Sequence, residues 1–367
     1  YVMGKPVVVP IRGTGGAPRW VAMFGNGANS NSGAPVLFVV DIKTGEVLAQ
    51  LKPSGAAYAE RNGLMNIAPV SLLNNDGMVD TVYGGDLQGN LWKFDLSDES
   101  PGSWEVAFND EPLFSAVVDN VAQPITGGIE VSSGPGGGVS IFFGTGRYFA
   151  VGDEVVGTDP PVQSLYGIWD NLSTTRVTSR SMLVEQTISA GTTSAGYQTR
   201  NVSNNPVNYG EKRGWFIDLK VGILNKGERF IGTPRIQNGR VIFTTYEAGD
   251  ATCSAGGGTN WLYAVNLLTG SGSMSGITVA PGGDSVCTGN CGGVALKNQD
   301  GRKTSPPVRD TSIFVPPPKE ELCNVADPGC IQKRIEAEQC TFVLRAAGAE
   351  PLYLPRPCGR QSWRQVR

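Results

Sequence analysis

The sequence predicts an all-β protein, a modified β-propeller of about seven irregular blades. Three observations carry this. Glycine and proline are too frequent for long helices, four strand-like segments share one ending, and the unit containing them recurs at blade-sized intervals. The 367 residues include 50 glycines and 24 prolines, both unfavourable inside helices and at home in turns. Residues that suit pleated sheet are plentiful between those breaks. Hydrophobic residues make up 40%, enough for residues 1–367 to form a single propeller domain.

The first strand-like elements of the repeat follow prolines at Pro6-Val7-Val8, Pro69-Val70-Ser71, Pro124-Ile125-Thr126 and Pro234-Arg235-Ile236. A proline is tolerated at a strand's first residue because no ladder amide is needed there. Next come β-rich stretches, three of which end in glycine: Val21–Gly25, Thr81–Gly85, Ile141–Gly144 and Val241–Thr244. The third elements are Leu37–Asp41, Leu91–Asp95, Leu165–Asp170 and Leu262–Asn266. Each closes on Asp or Asn, whose side chain can accept hydrogen bonds from the amides of the following turn. The intervals between the prolines are 63, 55 and 110 residues, the first two near one blade length and the last twice the second. A degenerate unit ending Gly214-Trp215-Phe216-Ile217-Asp218-Leu219 is expected to fill the long interval, and a start at Pro306-Pro307-Val308 leads a last atypical blade. A β-sandwich is the competing architecture, with strands that resemble one another only because strands generally do. The common ending and period favour the propeller.

All seven cysteines fall in the last third, at 253, 287, 291, 323, 330, 340 and 358. There is no CxxC pair and no histidine, so a zinc site is disfavoured. Disulfides pinning irregular loops and a tail over 253–367 are expected, which implies an oxidising compartment. Pairing of sequence neighbours would join Cys287 with Cys291, Cys323 with Cys330 and Cys340 with Cys358, leaving Cys253 odd; sequence alone does not choose the connectivity.

The most chemically pointed stretch is Leu72-Leu73-Asn74-Asn75-Asp76-Gly77-Met78-Val79-Asp80. Calcium loops alternate oxygen ligands, turn sharply at a glycine, and add a later carboxylate. Asn74, Asp76, the Met78 carbonyl and Asp80 occupy such places, with Leu72 where a first Asp would stand. The same residues suit a plain Asn-Asp-Gly hairpin turn, and both readings stay open.

Several function classes are excluded. Without histidine, neither a Ser-His-Asp nor a Cys-His arrangement can form. The formal net charge of −3 and the lack of a dominant Lys/Arg cluster argue against nucleic acid as a partner. Gly134–Gly138 and Gly144–Arg147 lack a phosphate-binding fingerprint leading into a helix and are expected to be turns. No apolar run approaches the ~20 residues needed to span a bilayer. Tyr1-Val2-Met3-Gly4 is neither a signal peptide nor a natural initiator, so more chain is expected ahead of it.

The stretch Tyr83-Gly84-Gly85-Asp86-Leu87-Gln88-Gly89-Asn90-Leu91-Trp92-Lys93-Phe94-Asp95 closely resembles the C-terminal domain of PilY-type proteins, the type IV pilus biogenesis factors and tip-associated adhesins. Further blocks agree in the family's order: Phe24–Gly27, Gln123–Thr126, Phe143–Tyr148, Tyr166–Asp170, Asn238–Thr245 and Cys358–Gln365. The resemblance implies a propeller shaped like the quinoprotein dehydrogenases, located in the periplasm, at the outer membrane or on the cell surface. It implies pilins and other pilus components as partners, with a host or surface ligand for adhesion. It also implies a calcium site helping to set pilus extension against retraction, which maps onto Asn74, Asp76, Met78 and Asp80, Leu72 departing from the pattern. The Arg-Gly-Asp motif of some relatives is absent. The alternatives are a periplasmic protein-assembly scaffold and a quinoprotein-like dehydrogenase. The latter is disfavoured because no two cysteines are adjacent.

Overall fold

The computed structural model describes residues 4–54, 62–72, 76–194, 196–249, 258–280, 283–298, 307–314 and 341–355. Strands β1 (Val7–Arg12), β2 (Pro18–Gly25), β3 (Leu37–Asp41) and β4 (Val47–Leu51) pair antiparallel in chain order as the first sheet. The second sheet runs β5 (Leu64–Val70), β6 (Thr81–Asp86), β7 (Asn90–Asp95) and β8 (Glu105–Val106), with β9 (Phe114–Ser115) also against β7. A small hairpin, β10 (Val117–Val118) and β11 (Val121–Ala122), leads on.

The third sheet contains β12 (Glu130–Ser133), β13 (Val139–Gly144) and β14 (Ser164–Asp170). It is followed by β15 (Val184–Ala190), β16 (Thr199–Val202) and β17 (Gly214–Val221). The fourth holds β18 (Arg229–Phe230), β19 (Arg235–Gln237), β20 (Arg240–Glu247), β21 (Thr259–Asn266) and β22 (Cys291–Ala295). Strands β23 (Thr311–Phe314), β24 (Thr341–Ala346) and β25 (Leu352–Pro355) form a fifth, three-stranded sheet.

Each internal sheet is apolar on both faces, because each is sandwiched between its neighbours. In the second sheet Val82, Trp92 and Phe94 join Val21, Met23 and Leu37 of the first. Tyr83 and Leu91, on the opposite face, pack with Ile141, Phe143 and Tyr166 of the third. Phe142 and Leu165 then meet Val241, Phe243 and Tyr263 of the fourth, whose Ile242, Leu262 and Ala264 pack with Leu344 and Leu352 of the fifth. One core between each successive pair is how blades pack in a propeller, whereas a sandwich buries one shared core. Lys5, Asn66, Thr126, Thr233 and Arg309, from segments far apart in the chain, line a shared cavity of about 210 Å³.

The glycines at or beside the ends of the second strands mark where the next blade arrives. A Cβ on Gly25 would lie 2.2 Å from the Leu64 carbonyl oxygen, one on Gly85 2.3 Å from Ile125 Cγ2, and one on Gly144 2.4 Å from Phe230 Cγ. Every one of these neighbours belongs to the following unit. At the fourth such position Thr244 replaces glycine, and its hydroxyl lies 2.7 Å from that of Thr311 in the fifth sheet.

The third-strand endings behave as their chemistry predicts. Asp41 Oδ1 accepts from the amides of Lys43 and Thr44 (2.8 and 2.9 Å), and Asn266 Oδ1 from those of Leu268 and Thr269 (2.9 and 3.1 Å). Asp95 and Asp170 each accept one such bond, from Ser97 and Leu172.

Three expectations change. Pro69 lies near the end of β5, not at its start; it is tolerated because β5 is the sheet's edge strand. Pro124 begins no strand, and Ile125 makes only an isolated bridge to Gly146. Gly214–Leu219 does not end a separate blade: β17 pairs antiparallel with β14 as an outer strand of the third sheet. The long interval is occupied instead by β15 and β16. Strand β15 runs parallel to β17 and β16 pairs with β22, joining the third and fourth sheets into one curled sheet. Among the described residues the strands fall into four-, five-, eleven- and three-stranded sheets with one two-stranded hairpin. Cys287 and Cys291 form a disulfide with a Cα–Cα distance of 5.8 Å, inside the core between the fourth and fifth sheets. The pairings expected for Cys253, Cys323, Cys330, Cys340 and Cys358 lie outside the described residues. No helix among the described residues is long and apolar enough to cross a membrane.

Candidate functional site at the joint of the first two blades

The acidic loop connects β5 to β6 and lies against the end of β1. Gly77 takes φ +75°, the left-handed conformation that glycine adopts without strain. The chain then returns alongside the first sheet. The Val79 amide donates to the Pro10 carbonyl at 2.8 Å, and Ile11 and Val79 form a parallel bridge.

Asp76 Oδ1 accepts the Met78 amide at 2.9 Å, and Oδ2 accepts Arg12 Nη2 at 2.6 Å. The Met78 hydrogen bond, then the Arg12 guanidinium, hold the Asp76 carboxyl below its ordinary range despite some desolvation. Asp80 is buried at the foot of β6. Its Oδ2 accepts the Leu72 amide and its Oδ1 the Thr81 hydroxyl, both at 2.9 Å, so it clips the two ends of the loop together. Leu72 is half-buried, and its side chain packs on the core between the second and third sheets. Asn74 lies outside the described residues.

The structure thus brings Asp76, Met78 and Asp80 onto one turn. Among the described residues no group of three or more Cys, Asp or Glu side chains is gathered as a metal cluster. The oxygens of Asp76, Met78 and Asp80 belong to the hard donor class that calcium takes, and Asp76 faces a cation in the Arg12 guanidinium. Arg12 is the residue that sequence inspection misses. It stands 64 positions from Asp76, and only the packing of β1 on the returning loop brings them together.

The block that carries the family resemblance is a structural corner. Asp86, fully buried, accepts from the amides of Gln88 and Asn90, from Asn62 and Asn90 side chains, and from the Trp92 indole at 2.8 Å. Burial pushes the Asp86 carboxyl up, opposed by the Trp92 and Asn90 bonds. The spacing of Asp86, Gly89 (φ +80°), Asn90 and Trp92 follows from wrapping one turn around one carboxylate. Sequence matching finds this block without showing the geometry that requires it.

A second polar cluster lies between the third and fourth sheets. Arg200 stacks on Trp261 with its guanidinium carbon 3.6 Å from the ring centre, and donates to Glu228 and Tyr263. Glu228 also accepts from Thr245. Arg200, Glu228 and Trp261 border a cavity of about 260 Å³, with Lys220 and Lys226 at its wall. Because the buried charges pair with each other, the cluster acts as a brace between sheets.

The corner at Asp41 yields a pH prediction. Its hydrogen bond from Arg19, followed by the Thr44 amide, lowers its pKa from 3.8 to about 2. A carboxylate with a depressed folded-state pKa contributes stability that is complete above its unfolded value and is lost as pH falls through the folded one. Acid titration followed by tryptophan fluorescence should show this loss between pH 3.8 and about 2. Asp41→Asn should flatten that portion of the curve; an unchanged curve would refute the assignment.

Comparison with known proteins agrees with this architecture. Residues 1–200 match the family model of the PilY1 β-propeller domain. A type IV pilus biogenesis factor PilY1 homolog of Xylella fastidiosa is 37% identical over 390 residues, spanning 100% of this chain and 26% of the relative. The type IV pilus biogenesis factor PilY1 of Pseudomonas aeruginosa PAO1 is 32% identical over 305 residues, spanning 74% of this chain and 26% of its own length. The crystal structure of the P. aeruginosa PilY1 C-terminal domain superposes with a TM-score of 0.74 at 25% identity, over 96% of this chain and 72% of that one. The chain therefore spans about a quarter of the curated relatives it matches. With the blade repeat, the Asp86 corner and the acidic loop in place, this chain belongs to the PilY1 β-propeller family.

Proposed function

We propose that this chain is the propeller module of a type IV pilus biogenesis and adhesion factor, acting without enzyme chemistry at the periplasm, outer membrane or cell surface. Its partners are pilins and other pilus components, contacted through loops at the propeller rim, together with a host or surface ligand. The observation that carries the proposal is the 37% identity across 100% of the chain with a relative named for pilus biogenesis.

Calcium at the 74–80 loop is part of the same reading, setting pilus extension against retraction. Asp76, Asp80, the Met78 carbonyl and Asn74 would hold the ion, and Leu72 adds no side-chain ligand. When bound, calcium supplies a divalent charge that draws the loop oxygens together. The protein's own part is to present Asp76 on the Gly77 turn and to hold the loop ends through Asp80.

The test is genetic. In a bacterium that relies on this protein for piliation, deleting residues 1–367 is expected to abolish surface pili and twitching. Asp76→Ala with Asp80→Ala is expected to leave the protein present while removing the calcium dependence of twitching. Normal surface pili in the deletion strain would overturn the proposal. Calcium-dependent twitching that survives the double substitution would remove its metal part.

A further inference from the structure

The loop is already occupied by a positive charge that the protein itself supplies. Arg12 ends β1 of the first sheet and places Nη2 2.6 Å from Asp76 Oδ2 on the loop of the second. Both side chains keep 23% of their surface exposed, so the pair is half-sheltered and open to exchange with ions. Around it the backbone is fastened by the Val79 amide on the Pro10 carbonyl and by the Ile11–Val79 bridge. The Arg12–Asp76 pair is thus a side-chain tie across the joint between two blades, laid over a backbone tie that does not depend on it.

Asp76 cannot serve both cations equally. One of its oxygens already accepts the Met78 amide, and the other is taken by Arg12. Leu72 brings no carboxylate and Asp80 accepts from Leu72 and Thr81, so Asp76 is the exposed carboxylate on which an incoming divalent ion must rely. A guanidinium is weakly hydrated and matches a carboxylate geometrically, whereas a divalent ion must give up strongly bound water to enter.

We propose that Arg12 is a built-in competing cation: it holds Asp76 and closes the joint between the first two sheets when calcium is absent, and calcium binds only by displacing it. This deepens the calcium reading of the loop and rests on it. The consequence is a raised calcium threshold and a joint that loosens on binding. Ligand and Arg12 are then thermodynamically linked through one carboxylate.

The experiment is calorimetric titration with calcium chloride of the wild-type chain, Arg12→Gln and Asp76→Asn. Thermal melts in chelator check that each variant is folded. Removing the competitor should tighten calcium binding by up to about fivefold, the range expected for a half-exposed ion pair, and Asp76→Asn should abolish it. Arg12→Lys keeps the charge and should fall between wild type and Arg12→Gln, which provides a test if the glutamine variant folds poorly. Equal affinity in wild type and Arg12→Gln would overturn the competition while leaving calcium binding in place. Weaker binding in Arg12→Gln would show that Arg12 helps the site, and would also overturn it. Absence of calcium heat in both proteins would sink the calcium reading and this proposal together.

Discussion

Asp170→Ala is expected to destabilise the protein by about 3–5 kcal/mol, the usual consequence of removing one partner from a buried charge pair. Asp170 ends β14 in the third sheet with no exposed surface. Its Oδ2 accepts the Tyr83 hydroxyl at 2.7 Å and Lys93 Nζ at 2.8 Å, both from the second sheet. The Lys93 side chain is 14% exposed, so it cannot regain full hydration without moving. Burial, followed by the charge of Asp170, drives the Tyr83 hydroxyl's pKa far above its ordinary value, so it remains a donor at any physiological pH. Loss of the carboxylate strands both donors between blades, and also frees the Leu172 amide at the corner. Urea denaturation followed by tryptophan fluorescence measures the effect. A loss below about 1 kcal/mol, the value typical of exposed pairs, would show that this network does not brace the joint. Lys93→Met in the Asp170→Ala background should recover part of the loss, because the unpaired ammonium is then gone.

The second large effect is expected at Gly144. A Cβ there would sit 2.4 and 2.5 Å from Phe230 Cγ and Cβ. The Phe230 ring is fully buried and meets Phe243 edge-on at 5.6 Å, so it has no free space to move into. Overpacking of this kind costs about 1–3 kcal/mol for Gly144→Ala, and Gly144→Val should exceed that range. Gly157→Ala is the matched control: nothing lies within 4 Å of its Cβ position, and its stability should stay within about 0.5 kcal/mol of wild type. Both variants can be melted side by side. If Gly144→Val matched wild type, the tight approach of the fourth unit to the third would be refuted.

These sites differ in how visible they were in the sequence. The corner residues Asp41, Asp95, Asp170 and Asn266 were legible, because an Asp or Asn bonding amides two or three positions ahead is a local interaction. The second role of Asp170, as an anchor for Lys93 and Tyr83, involves partners 77 and 87 residues away and leaves no local trace. The strand Gly214–Val221 was legible as a strand but not as a member of the third sheet. Its own pattern does not say which edge it joins, and the intervening β15 and β16 pair in an order the chain does not announce. The acidic loop was legible as a turn with regularly spaced oxygens, while the cation facing it was not.

Local chemistry, with the recurrence of one strand ending at blade-length intervals, therefore established the all-β class, the repeat, the turn corners and the position of the acidic loop. Folding in three dimensions decided which glycines a neighbouring blade would press against, which charges would meet across joints, and that Arg12 would hold Asp76. The physical reason is that a blade has two apolar faces and no core of its own. Its partners are settled only when the sheets stack around the axis.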